Sequence, residues 1–462
     1  MHGSSSCGQF MMEQLEGRQL LSASHNPAPA IRLPARKYTP RMDVRAAVNA
    51  SRLPGTQAET RIAINPRNPR NVVAVSMDEN AGATRLLVMR STDGGQSWSR
   101  SYIGSEQDRY SSRAARLDPR ITFSRFGDVF VSYIVGVREG RTDVVVAGSG
   151  NGGRRFKGVA AVTGRDADRP DIAAGPSGAS KRWQSIWITY NNEANGQVEA
   201  VYATSKKRGR LGQFSGSMNV SAREGAYASV AVGPKGQVAV AWQSPEDGPG
   251  PSGIWTALNS TGTFNGFGPD RFATSTGVGG ERYIPAQPRR SIDSEPALAY
   301  DMSRRGTRGR LYLAYTDADS ADTDDTDIVL RASTDDGQSW GGAQVVNDDG
   351  PGSSQFLPAL AVDPKTGHVG VSWYDTRNSG DNSMAEVYVG ISTNAAKEFQ
   401  RNVRVSNSML DASGGDSGSL GEFDFGDYAG AAFFAGQFMP AWAGNPGGGA
   451  HEDRKSTRLN SS

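Results

Sequence analysis

Acidic side chains recur at one repeated kind of place in this 462-residue chain, at the entrance to short apolar runs: Glu59, Asp118, Asp168 with Asp171, Glu295 and Asp427. Arginines stand one or two residues further on, at Arg61, Arg120 and Arg169. If these entrances converge in space, carboxylates brought close together raise one another's pKa or recruit a cation, which makes an acid/base set or an ion site. The competing reading has them accept hydrogen bonds from the amides of neighbouring strands. The three arginines then either pair with the carboxylates or bind an anionic ligand. Tyr428 directly adjoins Asp427, which makes it the nucleophile candidate if the chain is an enzyme.

Other chemistry is less well supported. The acidic loop carrying Asp317, Asp319, Asp322 and Asp324 offers hard oxygen ligands that suit calcium. It lacks the sixth-position Gly and twelfth-position Glu of an EF-hand loop, so a solvated acidic loop is the favoured reading and no cofactor is expected. The four histidines are His2, His25, His368 and His451, and the one cysteine is Cys7. Only His368 lies in the repeated part of the chain, which argues against histidine catalysis and against zinc. Fifty Lys and Arg against 48 Asp and Glu give a formal net charge of +2. That balance predicts neither a nucleic-acid footprint nor a membrane patch, and no transmembrane segment is evident.

The elements that must position these residues follow from two near-identical octets, Ser91-Thr92-Asp93-Gly94-Gly95-Gln96-Ser97-Trp98 and Ser333-Thr334-Asp335-Asp336-Gly337-Gln338-Ser339-Trp340. Both fit Ser-x-Asp-x-Gly-x-Ser-Trp, a turn in which the Asp accepts from its own backbone, the Gly takes a positive φ and the Trp drops into the adjoining layer. The structural role of Ser91, Asp93, Gly95, Trp98, Ser333, Asp335, Gly337 and Trp340 is favoured over any catalytic one. Degenerate copies begin at 149, 205, 259 and 392. Ahead of each octet lie two alternating apolar runs around a turn, such as Arg61-Ile-Ala-Ile with Val72-Val-Ala-Val, then a third run leading into the octet and a fourth after it. Four antiparallel strands repeated around an axis make a β-propeller, so the fold is expected to be all-β, and 57 Gly and 23 Pro suit its many turns.

Seven units can be counted, the last lacking its third strand and octet. Residues 47–51 are expected to close that last blade from the amino terminus, which leaves no open edge. A six-bladed ring is the alternative. The octets occupy turns between third and fourth strands, so the entrance residues share the opposite face. The chain divides into residues 1–42, a leader poor in apolar periodicity; 43–450, the propeller; and 451–462, which reads as a non-native tail.

The octets resemble Asp-box, or bacterial neuraminidase, repeats, and the chain is similar to sialidase-like propeller proteins over about 400 residues. In that family three Arg clamp a sugar carboxylate, a Tyr paired with a Glu is the nucleophile, and an Asp is the acid/base. The family's Phe-Arg-Ile-Pro motif is replaced by Thr60-Arg61-Ile62-Ala63, and Arg282-Tyr283-Ile284-Pro285 matches it only with an inserted Tyr. The resemblance therefore implies a propeller that binds glycans or another surface ligand on its central face, with an exo-α-sialidase-type glycoside hydrolase as the alternative. Leu15-Glu-Gly-Arg-Gln-Leu-Leu-Ser-Ala resembles the leader of many exported bacterial proteins and points to a secreted or cell-surface location.

Overall fold

A computed structural model describes residues 42–53, 57–78, 85–137, 141–245, 250–319, 324–412 and 424–444, together with the backbone of Ser456–Leu459. Runs rich in Val, Ile and Ala pair as antiparallel strands because β-branched side chains fill a pleated surface well. In the first blade Arg61–Ile64, Val72–Met77, Leu86–Ser91 and Ser99–Ile103 lie side by side in chain order. The same arrangement starts again at Arg116–Phe123, Ala167–Ser177, Ala226–Val232, Ala297–Tyr300 and Gln355–Val362. The first strands touch in sequence around a ring that closes from Gly430–Phe434 back to Arg61–Ile64. The fold is an all-β propeller.

Blades built entirely from consecutive strands number six, which was the alternative count. The further four-stranded sheet that the preferred count of seven requires is composite, with Gly430–Phe434 and Gln437–Gly444 joined by Ser456–Leu459 and Val48–Asn49 from the two chain ends. Its third strand, left empty in the sequence reading, is Ser456–Leu459, with Leu459 opposite Ala441 on one side and Val48 on the other. The amino-terminal strand thus joins the last sheet as its fourth strand, as expected, with Ser456–Leu459 between it and Gln437–Gly444. An edge covered on both sides exposes no unpaired amides.

The core lies between blades, in separate apolar clusters around the ring. In the second strands of five blades and of the composite sheet, the fifth residue counted from Val129, Ile186, Val238, Leu311, Val369 and Phe438 is aromatic and buried, as Tyr133, Tyr190, Trp242, Tyr315, Trp373 and Trp442. Each such ring removes about 150–250 Å² from water, roughly 4–6 kcal/mol before entropy is charged.

The octet turns also tie neighbouring blades together. Asn71 in the first blade donates to the Gly152 carbonyl in the second at 3.1 Å, and Thr256 in the fourth donates to Gly337 in the fifth at 3.0 Å. Gly94 donates to the carbonyl of Arg70, in the turn between the first two strands, so the octets sit at the end of the ring away from the strand entrances.

Candidate functional site

One structural position recurs in the six blades and in the composite sheet, five residues ahead of the first-strand partners of Val72, Val129, Ile186, Val238, Leu311, Val369 and Phe438, and forms one mouth of the axis. Its occupants are Glu59, Asp118, Arg169, Tyr227, Glu295, Leu357 and Tyr428, in register with the pairs Ile64–Val72, Phe123–Val129, Ala174–Ile186, Val232–Val238, Tyr300–Leu311, Val362–Val369 and Phe433–Phe438. The first six have φ between 46° and 55°. Left-handed backbone at non-glycine residues is costly and collects where a site needs it. In the second, third, fourth and sixth blades this residue is also the bulge that breaks the ladder. A bulge bends the strand and redirects its side chain, here toward the axis.

The axis holds a cavity of about 550 Å³, lined at this mouth by Arg61, Arg120, Asp171, Tyr227, Glu295, Asp427 and Tyr428. Below the mouth its wall is small and apolar, with Ala63, Ala173, Ala231 and Ala299 at equivalent places.

The sequence-selected residues meet here. Buried Tyr428 donates to Glu59 Oε2 at 3.0 Å and lies 3.3 Å from Asp118 Oδ1. The guanidinium of Arg120 stacks 3.4 Å from the centre of the Tyr428 ring and that of Arg61 at 4.4 Å, while Arg61 also donates to the Ala429 carbonyl. Arg169 stacks 4.2 Å from the Tyr227 ring and pairs with the half-exposed Asp168 at 3.6 Å. Asp171 accepts from the Val230 amide at 2.9 Å, so the bland expectation of strand-to-strand satisfaction holds for that residue.

Several other buried polar atoms at the mouth have no hydrogen-bond partner: Glu295 Oε2, Arg61 Nε and Arg120 Nε. Buried polar atoms are nearly always satisfied, so these three, at residues that line the cavity, are available to polar groups from outside the chain.

Three participants were not selected from the sequence. Arg290 comes from a hairpin, Arg282–Ile284 with Gln287–Ile292, inserted between the fourth and fifth blades. It forms a two-pronged ion pair with Asp427 and lies 3.9 Å from Glu59. The hairpin is anchored by buried Ile284, Ala286 and Ile292 and by Asp424, whose Oδ2 accepts from the amides of Arg289 at 2.8 Å and Arg290 at 3.1 Å. Its one sequence signal was an unusually long interval between blades. Tyr227 has no charged neighbour within two residues, and Asp293, two residues before Glu295, is not distinguished from it by the pattern of strand entrances.

Burial sets the electrostatics. It raises Glu59, with the charge on Asp427 adding to the effect, and it raises Asp118 well above the usual carboxyl range, helped by Glu59 and Asp168. Glu295 is raised well above its ordinary value by burial and by Asp293, and Asp293 is pushed up to about 6 by burial. For Asp427, burial is outweighed by Arg290, which holds the carboxyl below its ordinary value. Tyr428 and Tyr227 are raised well above theirs, by burial first and by adjacent carboxylates second. Carboxyls whose charged form burial disfavours stand beside the guanidinium groups of Arg61, Arg120, Arg169 and Arg290, an arrangement that favours an anion at the mouth.

The octets are self-satisfied turns. Asp93 Oδ1 accepts from the amides of Gln96 and Ser97 at 3.0 and 2.9 Å, and Ser91 Oγ accepts from Gly95 N at 2.8 Å. Trp98 Nε1 donates to the Gly95 carbonyl at 2.9 Å. These bonds outweigh burial and hold Asp93 down to about 2. Ser333, Asp335 and Gly337 repeat the turn, and Trp340 packs on the neighbouring core. In the degenerate copy Ala396, at φ 61°, donates to Ser392 as Gly95 does to Ser91.

The acidic loop is not brought to the mouth. Asp317 Oδ1 accepts from the amides of Gly277 and Ala318, and Asp319 and Asp324 are not grouped with it as ligands; Asp322 lies outside the described residues. Among the described residues no group of three or more His, Cys, Asp or Glu is arranged to hold a metal, and no helix is long and apolar enough to cross a membrane.

No family model matches the chain and no curated protein matches it. Among solved structures it is similar to an alpha-L-arabinanase of Penicillium chrysogenum complexed with arabinobiose, at 13% identity over 73% of this chain and 93% of that one, TM-score 0.47. It is similar to the intramolecular trans-sialidase from Ruminococcus gnavus at 9% identity over 78% and 96%, TM-score 0.48. A Hadza microbial sialidase matches at 10% identity over 85% and 73%, TM-score 0.47. The case for chemistry rests on this chain's own residues.

Proposed function

We propose that the chain is an exported, sialidase-like Asp-box propeller that binds a glycan bearing an anionic group on its central face. The observation that carries this reading is the convergence of one repeated strand position from different blades on a cavity of about 550 Å³, where guanidinium groups stand beside carboxyls whose ionisation burial disfavours. A cavity of that size with a few convergent polar groups is the usual form of a small-ligand site. The leader motif supports export. Calorimetric titration with 3′-sialyllactose and with lactose tests the reading: the sialylated sugar binds, lactose binds at least about tenfold more weakly, and Arg120→Ala abolishes the difference. Equal affinity for both sugars removes it.

A second reading, an exo-α-sialidase-type glycoside hydrolase, is favoured by the bond from Tyr428 to Glu59. A neutral Tyr avoids the repulsion that a carboxylate nucleophile meets from an anionic sugar. In this reading Tyr428 Oη attacks the anomeric carbon and passes its proton to Glu59, Asp118 protonates the departing oxygen, and water then releases the sugar from Tyr428. Release of the fluorophore from an aryl sialoside separates the two readings, since a binding module gives none.

A further inference from the structure

The mouth contains a second tyrosine at the same repeated position, three blades round the ring from Tyr428 and so on the opposing wall. Tyr227 lines the cavity, has φ 54° and is buried except for its cavity edge. As at Tyr428, a guanidinium stacks on the ring, here Arg169 at 4.2 Å, and a buried carboxyl, Asp293, adds to the burial that raises the hydroxyl well above its ordinary value. Asp293 is fixed from behind, where Gln243 Nε2 donates to its Oδ1 at 2.9 Å. Gln243 is itself held, its Oε1 accepting from Ser294 N at 2.8 Å and Ser294 Oγ at 2.6 Å.

This arrangement has no necessary part in closing the fold. The Tyr position is filled by Leu357 in the sixth blade without a change of backbone, since Leu357 has φ 55°. An apolar side chain there costs nothing in polar partners. A Tyr with a buried carboxyl, a supporting amide and a stacked Arg needs four mutually adjusted groups. The ring tolerates the cheaper solution, and at Tyr227 it does not use it.

We propose that Tyr227 is a second ligand-contacting tyrosine, positioned by Asp293 and Gln243, so that the mouth grips one hydroxyl-rich anionic sugar between tyrosyl hydroxyls on opposed walls. The inference rests on the glycan reading above and specifies its ligand: a polyol engaged on two sides. A phenolic hydroxyl can both donate to and accept from sugar hydroxyls, while Arg169 and Arg120 on the two rings face the anionic group. Asp293 acts through Tyr227 and is a positioning residue.

The test is titration of 3′-sialyllactose into the full chain carrying Tyr227→Phe, Asp293→Asn, both together, or Arg120→Ala, with melting recorded for each. Expected is a roughly tenfold loss of affinity for Tyr227→Phe, a similar loss for Asp293→Asn, and no further loss in the double variant, because both changes disable one hydroxyl. Wild-type affinity in Tyr227→Phe while Arg120→Ala weakens binding overturns the second tyrosine and leaves the glycan reading standing. Losses that add in the double variant overturn the positioning role of Asp293. A wild-type chain that does not bind the sugar overturns both readings.

Discussion

Tyr428 and Glu59 share a 3.0 Å hydrogen bond although 369 residues separate them. The contact exists because the last complete pair of strands packs against the first, so that ring closure and assembly of the mouth are the same event. Damage to the closure therefore reaches the site, and the reverse need not hold.

If the chain cleaves sialosides, Tyr428→Phe lowers kcat by at least about a hundredfold with little change in melting, since the ring and its two stacked guanidinium groups remain. Steady-state turnover of an aryl sialoside is the measurement. Undiminished kcat in Tyr428→Phe withdraws the nucleophile assignment.

Asp118→Asn should stabilise the chain at neutral pH. A carboxyl raised in the folded state keeps its proton there, so it lowers stability as pH climbs past the ordinary Asp value of about 3.9, where the unfolded chain ionises first. The variant escapes this cost. Its melting midpoint is expected above that of the wild type at pH 7 and level with it at pH 4 or below; a gain of equal size at both pH values contradicts the mechanism.

Arg290→Ala has the opposite sign. It leaves Asp427 buried without its partner, at a cost of about 2–3 kcal/mol at pH 7 once the partial exposure of Arg290 is allowed for. Because Asp427 is depressed in the folded state, the contribution of the pair is complete above about 3.9 and fades as pH falls through the folded value. Denaturant midpoints at pH 7 and pH 3 should therefore converge, and a constant gap between variant and wild type is the adverse result.

Trp98→Ala and Trp340→Ala each lower stability by about 2–4 kcal/mol, less than for a fully buried Trp because both rings are half-buried against their clusters. Ligand affinity of the folded fraction stays at the wild-type level, since the octets stand at the far end of the ring. Lost binding with unchanged melting would move the site to the octet face.

Deleting residues 42–51 removes Val48–Asn49 from the closing sheet and takes Ala50 out of a core cluster. Melting is expected to fall by several degrees, about 2–4 °C for each kcal/mol lost. An unchanged midpoint means that the amino-terminal strand does not support the ring.

Local pattern fixed what depends on neighbours in the chain. The octet turns, the alternation of the strands and the aromatic at the fifth place of the second strand are written in contiguous residues, because turn chemistry, pleat and packing repeat with the sequence itself. From these came the propeller, and with it the expectation that Glu59, Asp118, Arg61, Arg120, Glu295 and Tyr428 share one face. What required the tertiary structure is the register at the axis: Arg169, Tyr227 and Tyr428, and not Asp168, Asp171 and Asp427, occupy the repeated position, since a bulge such as those at Arg169 and Tyr227 shifts which side chain turns inward and leaves no mark in composition. Arg290 was equally hidden. Its charge acts on Asp427 and Glu59 only because an inserted hairpin folds across the mouth, and the burial that raises Glu59, Asp118 and Glu295 is a property of the closed ring that no single blade possesses.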